Sequence, residues 1–367
     1  MATRQLAPPA ERRVPGKQGT RRGNRARRRE AAAGWLFTAP AVVALVVFLV
    51  VPIAMAAWVS VSDWSGIGSP VSAGVRPVGM ANYEALLTQP GLAQQDLGLS
   101  IRDNLYYVLF VVPLQTALAL LLAIVVSRKA LRGRGFFRTA FYFPSVTSSV
   151  AVSMIFLFLF ADTGVINGAL GYLGVHGPSW FSDPNGLLHM AAQGAGITPP
   201  SALTRHGLLG VSWWDWFAGP SVAMTTLIIL AIWTTSGTFM LLFLPALYGI
   251  SEEIEEAAIV DGAGAWTRFR RITLPLIRPA LFLVLTLGLI GTWQVFDQVF
   301  LITQGNPAGT TLTPAYLAYQ VSFSDQQWGQ GAAIAFILFA IIVIFTVLQR
   351  VVLRERGSVT QARGWRL

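Results

Sequence analysis

Six apolar blocks, each long enough to cross a hydrocarbon core of roughly 30 Å, constrain this chain more than any other feature of its sequence. They fall at about 36–58, 106–126, 141–160, 221–244, 280–302 and 332–353. Backbone polar groups in lipid must be satisfied within the segment, so blocks of this length read as helices. The chain is 54% apolar and only 12% charged, where a soluble domain carries about a quarter charged residues. The expected fold class is therefore an all-α polytopic membrane protein with six transmembrane helices.

The distribution of Lys and Arg orients these spans. Residues 1–34 hold ten, 127–140 five, 245–279 four and the tail from Arg350 five, whereas the alternate loops hold only Arg76, Arg102 and Arg205. A bias of 24 against 3 places both termini in the cytoplasm by the positive-inside rule. The net charge of +10 is thus topological. The Arg-rich head, 1–34, reads as a basic disordered flank rather than a nucleic-acid arm, and 356–367 as a cytoplasmic tail. Ala54-Met55-Ala56 resembles a cleavage site, but the apolar stretch before it exceeds the 7–15 residues of a signal core. The first block is accordingly expected to remain as a span.

The chemistry available is restricted. With no cysteine there is no disulfide or thiolate site. No G-x-x-x-x-G-K-[ST] occurs, so ATP has no phosphate-cradling loop here. No span contains Lys, Arg or Glu apart from Arg350 near the end of the sixth, and Asp297 is the one acid inside a span. Proton-coupled carriers place ionisable groups at mid-membrane, so a secondary transporter is disfavoured. A membrane enzyme is disfavoured by the lack of paired acids and bases.

The most specific segment is the fourth-to-fifth loop, 251–279, SEEIEEAAIVDGAGAWTRFRRITLPLIRP. Ser251 is placed to cap a helix, and Glu252, Glu253 and Glu255 suit its positive N-terminus. Ala257, Ala258 and Ala263 allow close approach of another surface. Gly262 and Gly264 are expected to break the helix. A second short helix from Trp266 carries Arg268, Arg270 and Arg271, and Pro275 and Pro279 end it and open the next span. On composition alone this is either a projecting docking knob or an ordinary amphipathic connector.

Glu256-Ala257-Ala258, three residues, Gly262, nine residues, then Ile272-Thr273-Leu274-Pro275 resembles the "EAA" signature of binding-protein-dependent ABC importer permeases, including an Asp261 before the glycine. Other segments are similar to the maltose/glycerol-phosphate type of first permease, in the same order over about 35–355. They are Phe37-Thr38-Ala39-Pro40 with Val51-Pro52, Asp63-Trp64, Asn82-Tyr83, Arg134-Gly135-Phe136-Phe137-Arg138 before Phe143-Pro144, and Phe296-Asp297-Gln298-Val299 before Thr303-Gln304-Gly305-Asn306-Pro307. The resemblance implies the type I ABC importer permease fold and a carbohydrate solute. It also implies a second homologous permease, a cytoplasmic ATPase dimer carrying ATP and Mg, and an extracytoplasmic solute-binding protein. Carried over, Glu256, Ala257, Ala258, Asp261 and Gly262 couple to the ATPase, and the chain binds no cofactor itself.

Two polar breaks interrupt apolar spans: Trp233-Thr234-Thr235-Ser236-Gly237-Thr238 in the fourth and Gly291-Thr292-Trp293-Gln294 in the fifth. The resemblance puts sugar contacts near them, so Thr235, Thr238, Gly291, Thr292 and Gln294 are the substrate-path candidates. Helix packing competes for the same small residues. The outer loop 161–220 is longer than the family's, with the excess at 186–217. It holds His176, His189 and His206 and ends in Trp213-Trp214-Asp215-Trp216-Phe217. An aromatic belt anchoring an interfacial helix is the expected role of that cluster, with binding-protein contact or sugar stacking as the alternative. A permease for an amino acid or polyamine fits the same architecture.

Overall fold

The computed structural model describes residues 19–128 and 131–352, with side chains from Glu30 onward. It divides into two units, Met1–Ala56 and Ala57–Leu367. In the first, helix α1, Gly19–Leu45, runs through the π-helical turn Val46–Val50 into α2, Val51–Ser60. The expected disordered flank is therefore helical from Gly19. Residues 1–18 and the tail 356–367 lie outside the described residues. The side chains of Leu36, Phe37 and Phe48 are exposed, as lipid solvation of an apolar helix requires.

The second unit is helical except for one short hairpin. Helix α3, Ala81–Leu87, precedes the long α4, Leu92–Ser127. Next come α5, Arg134–Val146, and α6, Ser149–Leu159, then the outer-loop helices α7, Val165–Tyr172, α8, Leu187–Gly194, and α9, Ser201–Arg205. Strands β1, Gly207–Leu208, and β2, Val211–Ser212, pair antiparallel before α10, Trp213–Trp216. Helix α11, Val222–Tyr248, is followed by α12, Glu252–Val260, α13, Ala265–Arg268, α14, Leu274–Leu276, and α15, Arg278–Trp293. Helices α16, Pro314–Tyr319, and α17, Trp328–Val352, complete the described chain.

Among the described residues, four helices are long and apolar enough to cross a membrane: Glu30–Ser60, Leu92–Ser127, Val222–Tyr248 and Trp328–Val352. Two further spans exist only if each bent pair counts as one. Arg134–Val146 and Ser149–Leu159 meet at 95°, and Ala265–Leu276 and Arg278–Trp293 at 72°. The first bend falls within the expected third block, whereas the second, at Ile277, falls just ahead of the expected fifth block at 280–302. Pro144 and the extended backbone at Thr147 and Ser148 turn the third. The fifth ends its α-helix at Trp293 and resumes as the π-helical turn Val299–Thr303.

A second correction concerns charge. Helix α4 begins at Leu92, so Arg102 and Asp103 lie inside it and not in a loop. Both are buried, with the Arg102 guanidinium 2.7 Å from Asp103. Asp297, by contrast, is exposed. Burial of an ion pair is tolerated when its geometry is good and further bonds satisfy it.

Helix α11 packs along α4, burying Met224, Leu227, Met240 and Phe243 against Leu97, Val111, Ala119 and Ala123. Glycines set the closest approaches. A Cβ at Gly237 would stand 2.2 Å from the Phe141 carbonyl oxygen, so only glycine lets α5 lie against α11. At the outer end, Asn82 donates to the carbonyls of Ser60 and Ser62 (3.0 and 3.1 Å), Tyr83 donates to Ser60 (3.0 Å), and Trp64 packs on Trp328. Asn82-Tyr83 and Asp63-Trp64 are therefore structural ties.

Candidate functional site: a projecting knob and a polar cavity

In the 251–279 segment, α12 carries Glu252, Glu253 and Glu255 in its first turn, where the helix dipole favours them. Ser251 occupies the N-cap with extended backbone, but its side chain makes no capping bond. The C-terminus closes as a Schellman motif. Gly262 N–H donates to the Ile259 carbonyl (3.0 Å) and Ala263 N–H to that of Ala258 (2.9 Å). Gly262 takes φ +74°, the left-handed conformation that glycine adopts without penalty. Gly264 does not; it caps α13 with ordinary φ −64°. The second helix runs 265–276 and turns sharply into the span at Ile277 rather than at a proline, and Pro279 sits in the first turn of α15.

Glu256, Ala257, Asp261 and Gly262 are exposed and available to a partner. Ala258 is 8% exposed, covered by its own chain. Sequence reading missed the apolar residues exposed in this segment. Val260 is 86% exposed and Trp266 70%, beside exposed Ile254 and Ile259. The signal available was the poor fit of large apolar side chains to a solvated connector.

The polar breaks form two adjoining cavities. One, of about 280 Å³, lies between α4, α11 and α15 and is lined by Thr235, Gly291, Thr292 and Gln294 together with Gln115, Phe296 and Asp297. The other, of about 290 Å³, includes Thr235 and Thr238 with residues of the bent α5–α6 pair. Thr235, Gly291, Thr292 and Gln294 thus come together, and Thr238 belongs to the neighbouring space.

Within the polar breaks, Ser236 and Gly237 face packed helices, whereas Thr234, Thr235 and Thr238 line cavities. Thr234 turns its hydroxyl to the Leu230 carbonyl (3.0 Å), Ser236 to that of Trp233 (3.3 Å), and Gly237 makes the contact with α5. Thr292 is buried and back-bonded to the Gly288 carbonyl at 2.8 Å. A Cβ at Gly291 would meet nothing within 4 Å, so that wall is open. The residue that sequence reading overlooked is Gln115, a buried amide in the apolar C-terminal half of α4. It is 1% exposed, accepts from Thr235 Oγ1 at 2.6 Å and leaves its Nε2 without a partner. It fits because residue 288 is glycine, where a Cβ would stand 2.6 Å from Nε2.

The outer loop is closed at its base by Leu187 N–H donating to the Pro220 carbonyl (3.0 Å). Its aromatics are partly consumed inside it. Trp214 stacks on His189 at 4.6 Å, Trp216 Nε1 donates to the Leu208 carbonyl (3.2 Å), and Tyr106 donates to the Trp216 carbonyl. Trp213 and Phe217 remain exposed.

A membrane-embedded helical unit with a cavity lined by amides, hydroxyls and one carboxylate, and with an exposed helix–turn–helix, defines a transport subunit. Comparison with known proteins agrees. The chain belongs to the binding-protein-dependent transport system inner membrane component family, whose model matches residues 115–356. It is thus a multi-pass membrane permease. It is 28% identical over 326 residues to the lactose transport system permease protein LacF of Rhizobium radiobacter, covering 88% of this chain and 94% of that one. It is 30% identical over 317 residues to the multiple sugar-binding transport system permease protein MsmF of Streptococcus mutans, covering 86% and 93%. A bacterial ABC transporter involved in the import of the acidic polysaccharide alginate shares the fold, with a TM-score of 0.65 and 20% identity over 90% of this chain and 99% of that one.

Proposed function

We propose that the chain is one of two pore-forming subunits of an ATP-driven importer, and that its solute is a sugar or oligosaccharide. The observation that carries this reading is the cavity that Gln115, Thr235, Gly291, Thr292 and Gln294 line. Amide and hydroxyl groups in apolar surroundings match a solute that is uncharged and rich in hydroxyls, because each buried hydroxyl needs a partner. The curated relatives that are named for sugars support the same class.

In this reading the α5–α6 pair is one span and α15 with the turn Val299–Thr303 is another, giving six. Both termini face the cytoplasm, on the basis of the 24-to-3 count of basic residues. The knob at 251–279 then lies in the cytosol. Glu256, Ala257, Asp261 and Gly262, with Val260 and Trp266, seat in a separate ATPase dimer that holds ATP and Mg. The family's name implies a solute-binding protein, which delivers solute from outside to a cavity shared with a second, homologous permease. The partners are these proteins and membrane lipid, with no nucleic acid.

The mechanism is alternating access. ATP closes the ATPase, the knob moves as a rigid body, and the α11–α15 walls open to one side or the other. Nucleotide shifts this equilibrium only by its differential affinity for the two states. A cationic solute such as a polyamine is the second reading, and Asp297 at the cavity edge is the observation that favours it.

The test is uptake into vesicles holding the whole complex and its binding protein, with labelled maltose, lactose and spermidine. ATP-dependent uptake of a sugar supports the proposal. Uptake of spermidine alone, or sugar uptake that survives ATP depletion but collapses with an uncoupler, refutes it.

A further inference from the structure

The cavity at the bend of the third span has no counterpart in the sequence-level candidates, apart from Thr238 and the shared Thr235. Helices α5 and α6 meet there at 95°, with Thr147 and Ser148 extended between them. Backbone broken at membrane depth is tolerated only where it faces protein or lines a water-filled cavity. Thr147 and Ser149 line this one, so the break and the cavity belong together.

Hydroxyls of Ser145, Thr147, Ser149 and Ser153 line it on the α5–α6 side, beside the apolar Val152, Leu230 and Phe239. Ser145 donates to the Thr234 carbonyl at 2.5 Å and accepts from Thr238 N–H at 3.2 Å, and Thr147 donates to the Phe143 carbonyl at 2.9 Å. Ser153 is the exception among these groups. It is 1% exposed, lines the cavity and has no hydrogen-bond partner. A buried, unsatisfied hydroxyl on a cavity wall marks a place where a polar ligand is expected to complete the bonding. Gln115 Nε2, also unsatisfied, holds the same position on the neighbouring cavity.

Thr235, Phe239 and Gln298 line both spaces, so the two adjoin. Each falls just below the roughly 300 Å³ at which pockets for drug-sized ligands begin. Each therefore suits one ring rather than a chain of them. We propose that the bend cavity is a second sugar subsite, so that a solute of at least two linked units sits with one unit on either side of Thr235, the far unit bonded by Ser153. This rests on the sugar reading above and adds to it a size requirement and a second set of contacts.

The absence of cysteine makes the test direct, because any introduced thiol is the only one in the chain. Thr235→Cys, Ser153→Cys and Ser149→Cys are each placed in the full transport complex with its binding protein. Each is then labelled with a small, water-soluble methanethiosulfonate in the presence of maltose, lactose or trehalose, or of glucose or galactose. The expected result is that disaccharides slow labelling at all three positions, while monosaccharides slow it only at Thr235→Cys. In addition, Ser153→Ala should weaken disaccharide binding by about three- to tenfold, one hydrogen bond's worth, and leave monosaccharide binding unchanged. Disaccharide protection at Thr235→Cys but at neither Ser153→Cys nor Ser149→Cys overturns the second subsite and leaves the sugar reading standing. Protection by no sugar at any of the three overturns both. Ser149→Cys keeps the test decisive if Ser153→Cys fails to fold.

Discussion

Helix α12 buries one residue of its nine, Ala258, whereas α11, immediately before it, buries 14 of 27. The two are stabilised differently. A helix as short as α12 is marginal in water by itself. It is held by three glutamates at one end, a Schellman closure at the other, and a partner able to cover Ile254, Ile259 and Val260. Helix α11 is held by packing against α4, α5 and α15, and its polar residues are used where the helices nearly touch. The knob should therefore tolerate substitution in stability and fail in coupling. The interior should fail in stability first.

The sharpest attack on that contrast is inside. Arg102→Ala would leave the Asp103 carboxylate buried without its cation, and losing one partner of such a pair typically costs about 3–5 kcal/mol. Thermal unfolding in detergent should show a large drop, and the double variant Arg102→Ala/Asp103→Ala should recover much of it. An unchanged midpoint in the single variant would mean that the interior does not depend on this pair. Next in size is Gly237→Ala. The added methyl must push α5 off α11, at about 1–3 kcal/mol, and both the unfolding midpoint and solute uptake should fall.

At the knob, Gly262→Val forces a β-branched residue into the left-handed region at about 1–2 kcal/mol. The strain is local because nothing surrounds the new side chain. The protein should insert and melt normally while ATP hydrolysis in the complex no longer drives uptake. Normal uptake would remove the coupling role. The smallest effect is expected from Val260→Ser, which leaves folding untouched and weakens ATPase association by up to about 1.5 kcal/mol, the value of burying one such side chain. Association measured in detergent checks it. A loss of stability instead would show that the knob is packed like the interior.

The knob was legible because everything it needs is local. Capping, dipole and turn residues act within a few positions, so Glu256 to Gly262 could be read from spacing. The failures have equally physical causes. Hydropathy measures the length of an apolar run and not its direction, so the block at 141–160 carried no sign of its bend, although Pro144 and the run from Ser145 to Ser149 mark it. Arg102 was assigned to a loop because a charge ordinarily ends a span. Its burial depends on Asp103 and on the outer elements packed over α4. Gln115 gave no periodic signal, since one amide among apolar residues looks the same whether it faces lipid, packing or a cavity.

The sequence by itself determined the membrane class, the apolar blocks and the geometry of the 251–279 turn, because hydrophobic length and glycine conformation act on neighbouring residues. Only the tertiary structure decided that Ala258 turns inward, that Ser236 and Gly237 pack while Thr234 and Thr235 line cavities, and that Gln115 meets Thr235 from another helix. Those outcomes depend on which helix faces come together across more than a hundred residues of chain, and no local pattern carries that information.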